Sequence, residues 1–212
     1  MEITWLGHSC FRIRSKEATI VTDPLGEADG GKNRLQAEIV TVSHDHVGHN
    51  HVSAVGGDPL VINGPGEYET KQVLILGLGS YHDTTLGLEL GKNTIFLFEM
   101  EGMTLCHLGD IGHIPSPSLV ESLGNVDILL VPVGGVTTLN GAKAAETVSL
   151  IEPKIVVPMH YYAEDFRSDL EPVDKFLKEI GVAEAQPQQR LTVTRSALPQ
   201  ETQVLLLESR RV

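Results

Sequence analysis

A chain of 212 residues with 41% hydrophobic and 21% charged side chains has enough apolar content for one sizeable core, which excludes disordered and fibrous classes. Its 28 acidic against 16 basic residues leave a net charge of −12. That field repels phosphate backbones and anionic lipid surfaces, so neither nucleic acid nor a membrane is an expected partner.

Short β-rich runs bounded by Gly, Pro, Asn or Asp occupy the first half, at 2–6, 10–14, 18–22, 38–43, 72–76, 94–99 and 103–107. A helical turn fits within 47–55. After Pro115 the pattern changes to a helix at 117–123, a strand at 127–133, a helix at 141–151 and a strand at 154–158, a βαβ rhythm. The second of these helices has Asn140 as its N-cap, Ala142, Ala145, Val148 and Ile151 on one face, and Pro153 as its stop. A third helix at 172–180 starts on Pro172, ends before Gly181 and carries Val173, Phe176, Leu177 and Ile180 as its apolar stripe. The tail returns to strand at 191–194 and 203–208. With no repeat, low-complexity tract or linker, residues 1–212 read as a single α/β domain with mixed sheets.

Only two cysteines are present, and both read as core thiols on strands. The start of the chain lacks the basic and apolar pattern of a leader, and no apolar run approaches the roughly 20 residues of a membrane helix. A soluble protein in a reducing, cytoplasmic setting is therefore expected.

Histidine is the anomaly of the composition: nine copies, with His44, His46, His49 and His51 in one short segment. The strand at 38–43 runs into His44-Asp45-His46-Val47-Gly48-His49. Residues two apart on an extended chain point the same way, so His44 and His46 converge on one ion while the turn brings His49 from another side. A His-rich surface loop is the plain alternative, but imidazoles clustered behind a buried strand rarely serve packing. The same grammar recurs where apolar strands lead to His82, to His107 and Asp110, and to His160. One such histidine is usually structural; several together point to a shared pocket at strand ends.

These residues resemble the metallo-β-lactamase superfamily. The resemblance lies in SHDHVGH (His44, His46, His49), the isolated His82 in SYHD, Asp110 in HLGD and His160 in VPMHY. TWLGHSCFRI, TDP, PGEYE and VPVGG look more specifically like the hydrolases related to ascorbate-6-phosphate lactonase. The resemblance implies a four-layer αβ/βα sandwich, two mixed sheets with outer helices, and a metal site on the edge between them. It implies one ion on His44, His46 and His82, a second on His49 and His160, and Asp110 bridging the two. Zinc is the implied cofactor, as one or two ions, and the N and O donors also suit manganese or iron. A metal-bound hydroxide would then attack a small-molecule lactone, ester, amide or phosphoester.

One position departs from the pattern. The Asp expected in HxHxDH is Gly48, so the second site loses a carboxylate, and Asp45 is the nearest replacement in sequence. A non-catalytic metal- or ligand-binding protein of the same fold is the rival reading that Gly48 motivates. A di-iron oxidoreductase would need a flavin partner for which this chain has no room. Asp110 and His8 are the candidate catalytic residues, His8 as a substrate contact or ligand-orienting partner, with a buried structural histidine as its plain alternative. His107, three residues before Asp110, is expected to be an orienting neighbour, with a metal ligand as the alternative, and His51 and His113 to be loop residues. The turn at 133–138 is either a source of N–H groups and hydroxyls for an oxyanion or an ordinary strand-to-helix turn, and Glu67 and Tyr68 are weaker pocket candidates. Substrate and oligomeric state are not legible.

Overall fold

The computed structural model describes residues 1–26, 35–163 and 169–210. In chain order the strands are Glu2–Gly7 (β1), Cys10–Arg14 (β2), Thr19–Thr22 (β3), Leu35–Gln36 (β4), Ile39–Thr41 (β5), Val55–Gly56 (β6), Leu60–Ile62 (β7) and Gly66–Thr70 (β8). Val73–Tyr81 (β9), Lys92–Met100 (β10), Met103–His107 (β11), Ile128–Pro132 (β12), Ile155–Met159 (β13), Leu191–Thr192 (β14) and Gln203–Val204 (β15) follow. The helices are Pro117–Leu123 (α1), Gly141–Ile151 (α2) and Val173–Glu179 (α3), and a 3-10 turn spans Val52–Ala54.

Two mixed sheets result. One has the order β14-β1-β2-β3-β5-β7 and the other β15-β13-β12-β11-β10-β9-β8. β11, β12 and β13 pair in parallel, joined by crossovers that contain α1 and α2. Successive right-handed crossovers in the same direction place both helices on one face of their sheet. A single apolar core runs from Ile3, Phe11, Ile13 and Ile20 of the first sheet through Ile75, Ile95, Phe98 and Leu105 of the second to Val148 and Phe176 of the helices. β12 and β13 are buried at every position because both faces of this sheet region are covered. Leu6, Cys10, Val21, Val40 and Val42 pack in a second cluster with Leu35, Val52 and Val55. Among the described residues, the β4–β6 ladder and the 3-10 turn contribute to this second cluster, and the α-helices lie with the second sheet.

The helix ends follow their sequence signals. Asn140 caps α2 by accepting from Lys143 N, and Ser116 caps α1 by accepting from Leu119 N. Pro172 is the N-cap of α3 rather than its first turn. On α2 the buried face is Gly141, Ala144, Thr147, Val148 and Ile151, so Ala142 is exposed and Ala144 takes the core position expected of it. β7 and β8 were not expected as strands. Leu60 and Val61 are exposed, and GEYET alternates polar with half-buried residues, the pattern of edge strands that carry little apolar signal.

Cys10 and Cys106 are buried on β2 and β11, and burial pushes the Cys10 thiol up to about 12. Neither is a nucleophile in this setting.

Candidate metal centre

Strand exits deliver the site. His44 follows β5, His82 follows β9, Asp110 follows β11, His160 follows β13, and His8 lies in the turn between β1 and β2. Two backbone hydrogen bonds tie the sheets together here: Thr94 N donates to Ser43 O at 2.8 Å, and His160 N to His8 O at 3.1 Å. The strand ends therefore hold their side chains in register across the sandwich.

Asp110 Oδ2 is the point of convergence. It lies 3.1 Å from His160 Nε2, 3.2 Å from His49 Nε2, 3.6 Å from His82 Nε2 and 3.9 Å from His44 Nε2. Asp110 is itself held from two sides: Ser9 Oγ donates to its Oδ1 at 2.9 Å, and its backbone N–H donates to Asn93 Oδ1 at 2.9 Å. Asn93 is fixed in turn by donating to Ser80 Oγ and Leu108 O.

The other ring nitrogens define the tautomers. His49 Nδ1 donates to Asp23 Oδ2 at 2.9 Å, and His82 Nδ1 donates to Thr137 O at 3.0 Å. Ser43 Oγ donates to Asp23 Oδ2 at 2.6 Å, so it is left to accept from His44 Nδ1 at 2.9 Å. In each neutral ring the lone pair then sits on Nε2 and points at the carboxylate. Lone pairs facing a carboxylate oxygen repel unless a cation or protons stand between them. The buried Nε2 of His44 has no hydrogen-bond partner, which is the state of a ligand nitrogen waiting for an ion. The donor set thus fits a divalent metal.

The acidities agree. Burial, reinforced by the neighbouring His160 and His49, pushes His8 down to about 3, and burial with His49 pushes His44 down to about 3. Burial also disfavours the His49 cation, but the carboxylates of Asp110 and Asp23 outweigh it and raise His49 to about 10. Without a metal, a proton on His49 does the neutralising.

The potential ligand atoms fall into groups, each with its members within 4.8 Å of one another. One contains His44, His46 and His82, and a second contains His8, His49, Asp110 and His160. A third, Asp23 with His44 and His49, overlaps both. All the expected ligand residues are therefore brought together, His46 from an exposed position and the others buried. Asp45 is exposed and accepts from Asn50 Nδ2, away from these groups. His107 is buried with its Nε2 on Ser9 O at 2.9 Å, so it steadies the residue that bonds Asp110. His113 bonds Ile114 O through Nδ1 and serves its loop. Glu67 and Tyr68 do not reach this pocket: they line a separate groove with Leu74, Leu76 and Leu97, because β8 sits at the far edge of its sheet.

A model of the β-lactamase superfamily domain matches residues 2–160. A UPF0173 protein of Pyrococcus abyssi is 32% identical over 200 residues, covering 81% of this chain and 91% of its own. The chain belongs to the metallo-β-lactamase superfamily. A UPF0173 metal-dependent hydrolase of Carboxydothermus hydrogenoformans is 30% identical, covering 76% of this chain and 84% of its own. Among solved structures, a Thermotoga maritima protein described as a Zn-dependent hydrolase of the metallo-β-lactamase superfamily superposes with a TM-score of 0.81 at 37% identity, covering 97% of both chains. This superfamily member is accordingly a metal-dependent hydrolase, and its two mixed sheets are those of the metallo-β-lactamase fold. The likeness to ascorbate-6-phosphate lactonase in particular finds no counterpart among these relatives.

Sequence reasoning assigned no role to Asp23, Ser43, Ser9 and Asn93, which orient ring nitrogens and Asp110, and it offered Thr137 to a substrate oxyanion, not to the Nδ1–H of His82. Asp23 was visible within TDP, but its partners are 20 and 26 residues away.

Proposed function

We propose that His44, His46 and His82 hold one zinc ion, that His49, His160 and Asp110 contribute to a second, and that the site hydrolyses a small uncharged lactone, ester or amide. The observation that carries this reading is the convergence of four Nε2 atoms on Asp110 Oδ2, with the opposite nitrogens of His44, His49 and His82 tied to acceptors. When bound there, the ions supply Lewis acidity and lower the pKa of a water to roughly neutral. Asp110, fixed by Ser9 and Asn93, holds negative charge between the two groups. Asp23 and Thr137 accept the Nδ1–H of His49 and His82, which turns Nε2 of each ring toward the cleft. Thr137 also lines the cleft, at the start of the 137–140 approach to α2.

The surroundings favour a small apolar substrate. The cleft has a volume of about 210 Å³ and is lined by His8, His46, His49, His82, His160, Gly48, Leu90, Asp110 and Thr137. Val47, Leu88 and Val136, each within two residues of a lining residue, are 87%, 86% and 61% exposed. Exposed aliphatic side chains beside a small cleft suit recognition of an apolar group rather than a phosphate.

The test is metal content by mass spectrometry with turnover of a panel of lactone, aryl ester, amide and phosphodiester, before and after chelation. Bound zinc, chelator-sensitive turnover of one of the first three, and loss of metal in the His44→Ala/His46→Ala variant are expected. A protein that holds no transition metal, or a double variant with unchanged metal content, overturns the assignment.

A further inference from the structure

Gly48 stands where the family pattern has a carboxylate, and the second group nonetheless has four members. A side chain at Gly48 would place its Cβ 3.2 Å from both Nε2 and Cδ2 of His8. That is tight contact with a ring, so the room beside Gly48 is already taken by the nitrogen edge of His8. Gly48 is also absent from the residues with positive φ, so no left-handed backbone requires a glycine there. What glycine supplies at 48 is space for an imidazole.

His8 is held in place by more than packing. Its φ of 53° puts a non-glycine residue in the left-handed region, a conformation that survives only where surroundings enforce it. The enforcement is visible: the His8 carbonyl accepts from Trp5 Nε1 at 2.9 Å and from His160 N at 3.1 Å. The ring stacks on that of His160 with centroids 4.0 Å apart and lies 4.7 Å from the His49 ring. His8 is 8% exposed and lines the cleft.

We infer that His8 takes the place of the carboxylate missing at Gly48 and serves as a donor to the second metal with His49, His160 and Asp110. This rests on the metal-binding reading above and goes beyond it by naming a ligand from a different strand turn. The exchange has a chemical consequence. Replacing a carboxylate with an imidazole leaves Asp110 as the carboxylate between His8, His44, His46, His49, His82 and His160. A nitrogen-rich set of this kind favours zinc over manganese, which prefers oxygen donors.

The experiment compares zinc stoichiometry and affinity, by chelator competition, in the wild type, His8→Ala, Gly48→Asp and the His8→Ala/Gly48→Asp double variant, with a melting curve for each. The wild type is expected to bind a second equivalent, His8→Ala to keep the first and lose the second, and the double variant to regain it. Gly48→Asp alone is expected to gain little, because His8 occupies the space. Losing a partner that merely orients a ligand weakens binding by roughly 10–100-fold; loss of a ligand must exceed that. A second equivalent kept by His8→Ala at undiminished affinity, or never bound by the wild type, overturns the inference while leaving the first site intact. No metal in any variant instead refutes the underlying reading. Should His8→Ala melt early, long-range 1H–15N spectra of the histidine-labelled wild type decide: the His8 Nε2 resonance shifts with those of His49 and His160 on addition of the second zinc, and an unmoved His8 signal refutes the role.

Discussion

The Nδ1–H of His49 donates to Asp23 Oδ2 at 2.9 Å. The same oxygen accepts from Ser43 Oγ at 2.6 Å, and Asp23 Oδ1 accepts from Ser43 N at 2.7 Å. One buried carboxylate thus orients His49 directly and His44 through a hydroxyl, one histidine from each proposed metal site. Because three donors converge on it, Asp23 fixes which nitrogen of each ring faces the cleft.

Asp23→Asn tests this arrangement with almost no change of volume. An amide keeps one acceptor oxygen but turns an NH2 toward a donor, so either His49 or Ser43 loses its partner. Metal affinity is expected to fall by about 10–100-fold, the usual effect of losing a ligand's hydrogen-bond partner. Stability is expected to fall by roughly 1–3 kcal/mol for the unsatisfied buried group. Chelator competition and urea titration measure the two separately. Unchanged metal affinity would mean that Asp23 supports the fold alone.

How much of this was legible in sequence depends on whether the informative contact is local. Each strand-exit residue, His44, His82, Asp110 and His160, announces itself by following an apolar run, and the βαβ half is marked by caps and stops at Asn140 and Gly181. The relation of His8 to Gly48 is different in kind. It joins positions 40 residues apart, and nothing in GHS or in HVGH shows that one ring fills the space beside the other glycine. Edge strands such as β8 fail for another reason: with one side in solvent, GEYET has little hydrophobic period to detect, so Glu67 and Tyr68 looked like loop residues near a pocket.

Asp83 organises the loop that carries the apolar rim. Its Oδ1 accepts from Thr85 N, Thr85 Oγ1 and Gly87 N, and its Oδ2 from Glu89 N and Leu90 N, at 2.7 to 3.0 Å. Although desolvation works the other way, the N–H groups of Leu90 and Gly87 hold this carboxyl below the usual range. Asp83→Ala removes all of these acceptors at once. Amide exchange across 84–91 is expected to accelerate, because the loop then opens more easily. Exchange mass spectrometry of that segment, with the β10–β12 core as internal reference, is the measurement. Protection that stays at the wild-type level in 84–91 would show that the loop is ordered by other contacts.

The metal-free protein is expected to melt at its highest temperature near pH 6.5, and the direction on each side follows from different histidines. An unfolded histidine titrates near 6.5. His49 is raised to about 10 because, against the cost of burial, Asp110 and Asp23 favour its cation. Its contribution is therefore complete below pH 6.5 and is lost as pH rises toward 10. His8 and His44 are lowered to about 3 by burial and by their charged neighbours, so they resist protonation that the unfolded chain accepts, and stability falls as pH drops from 6.5 toward 3. Burial likewise lowers His82 and His107, adding to the acid-side loss. Zinc behaves oppositely on the alkaline side. Its ligands bind as neutral imidazoles, so affinity and the stabilisation it brings grow as protons leave. The gap in melting temperature between zinc-loaded and chelator-treated protein is thus expected to widen from pH 6.5 to 9. At zinc about 1,000-fold above its dissociation constant the gain is about 4 kcal/mol per site, or on the order of 10 °C for a chain of this size. Scanning calorimetry of both forms across pH 5 to 9 measures it. A metal-free protein whose melting temperature keeps rising above pH 6.5 would show that His49 is not the group whose proton replaces the ion.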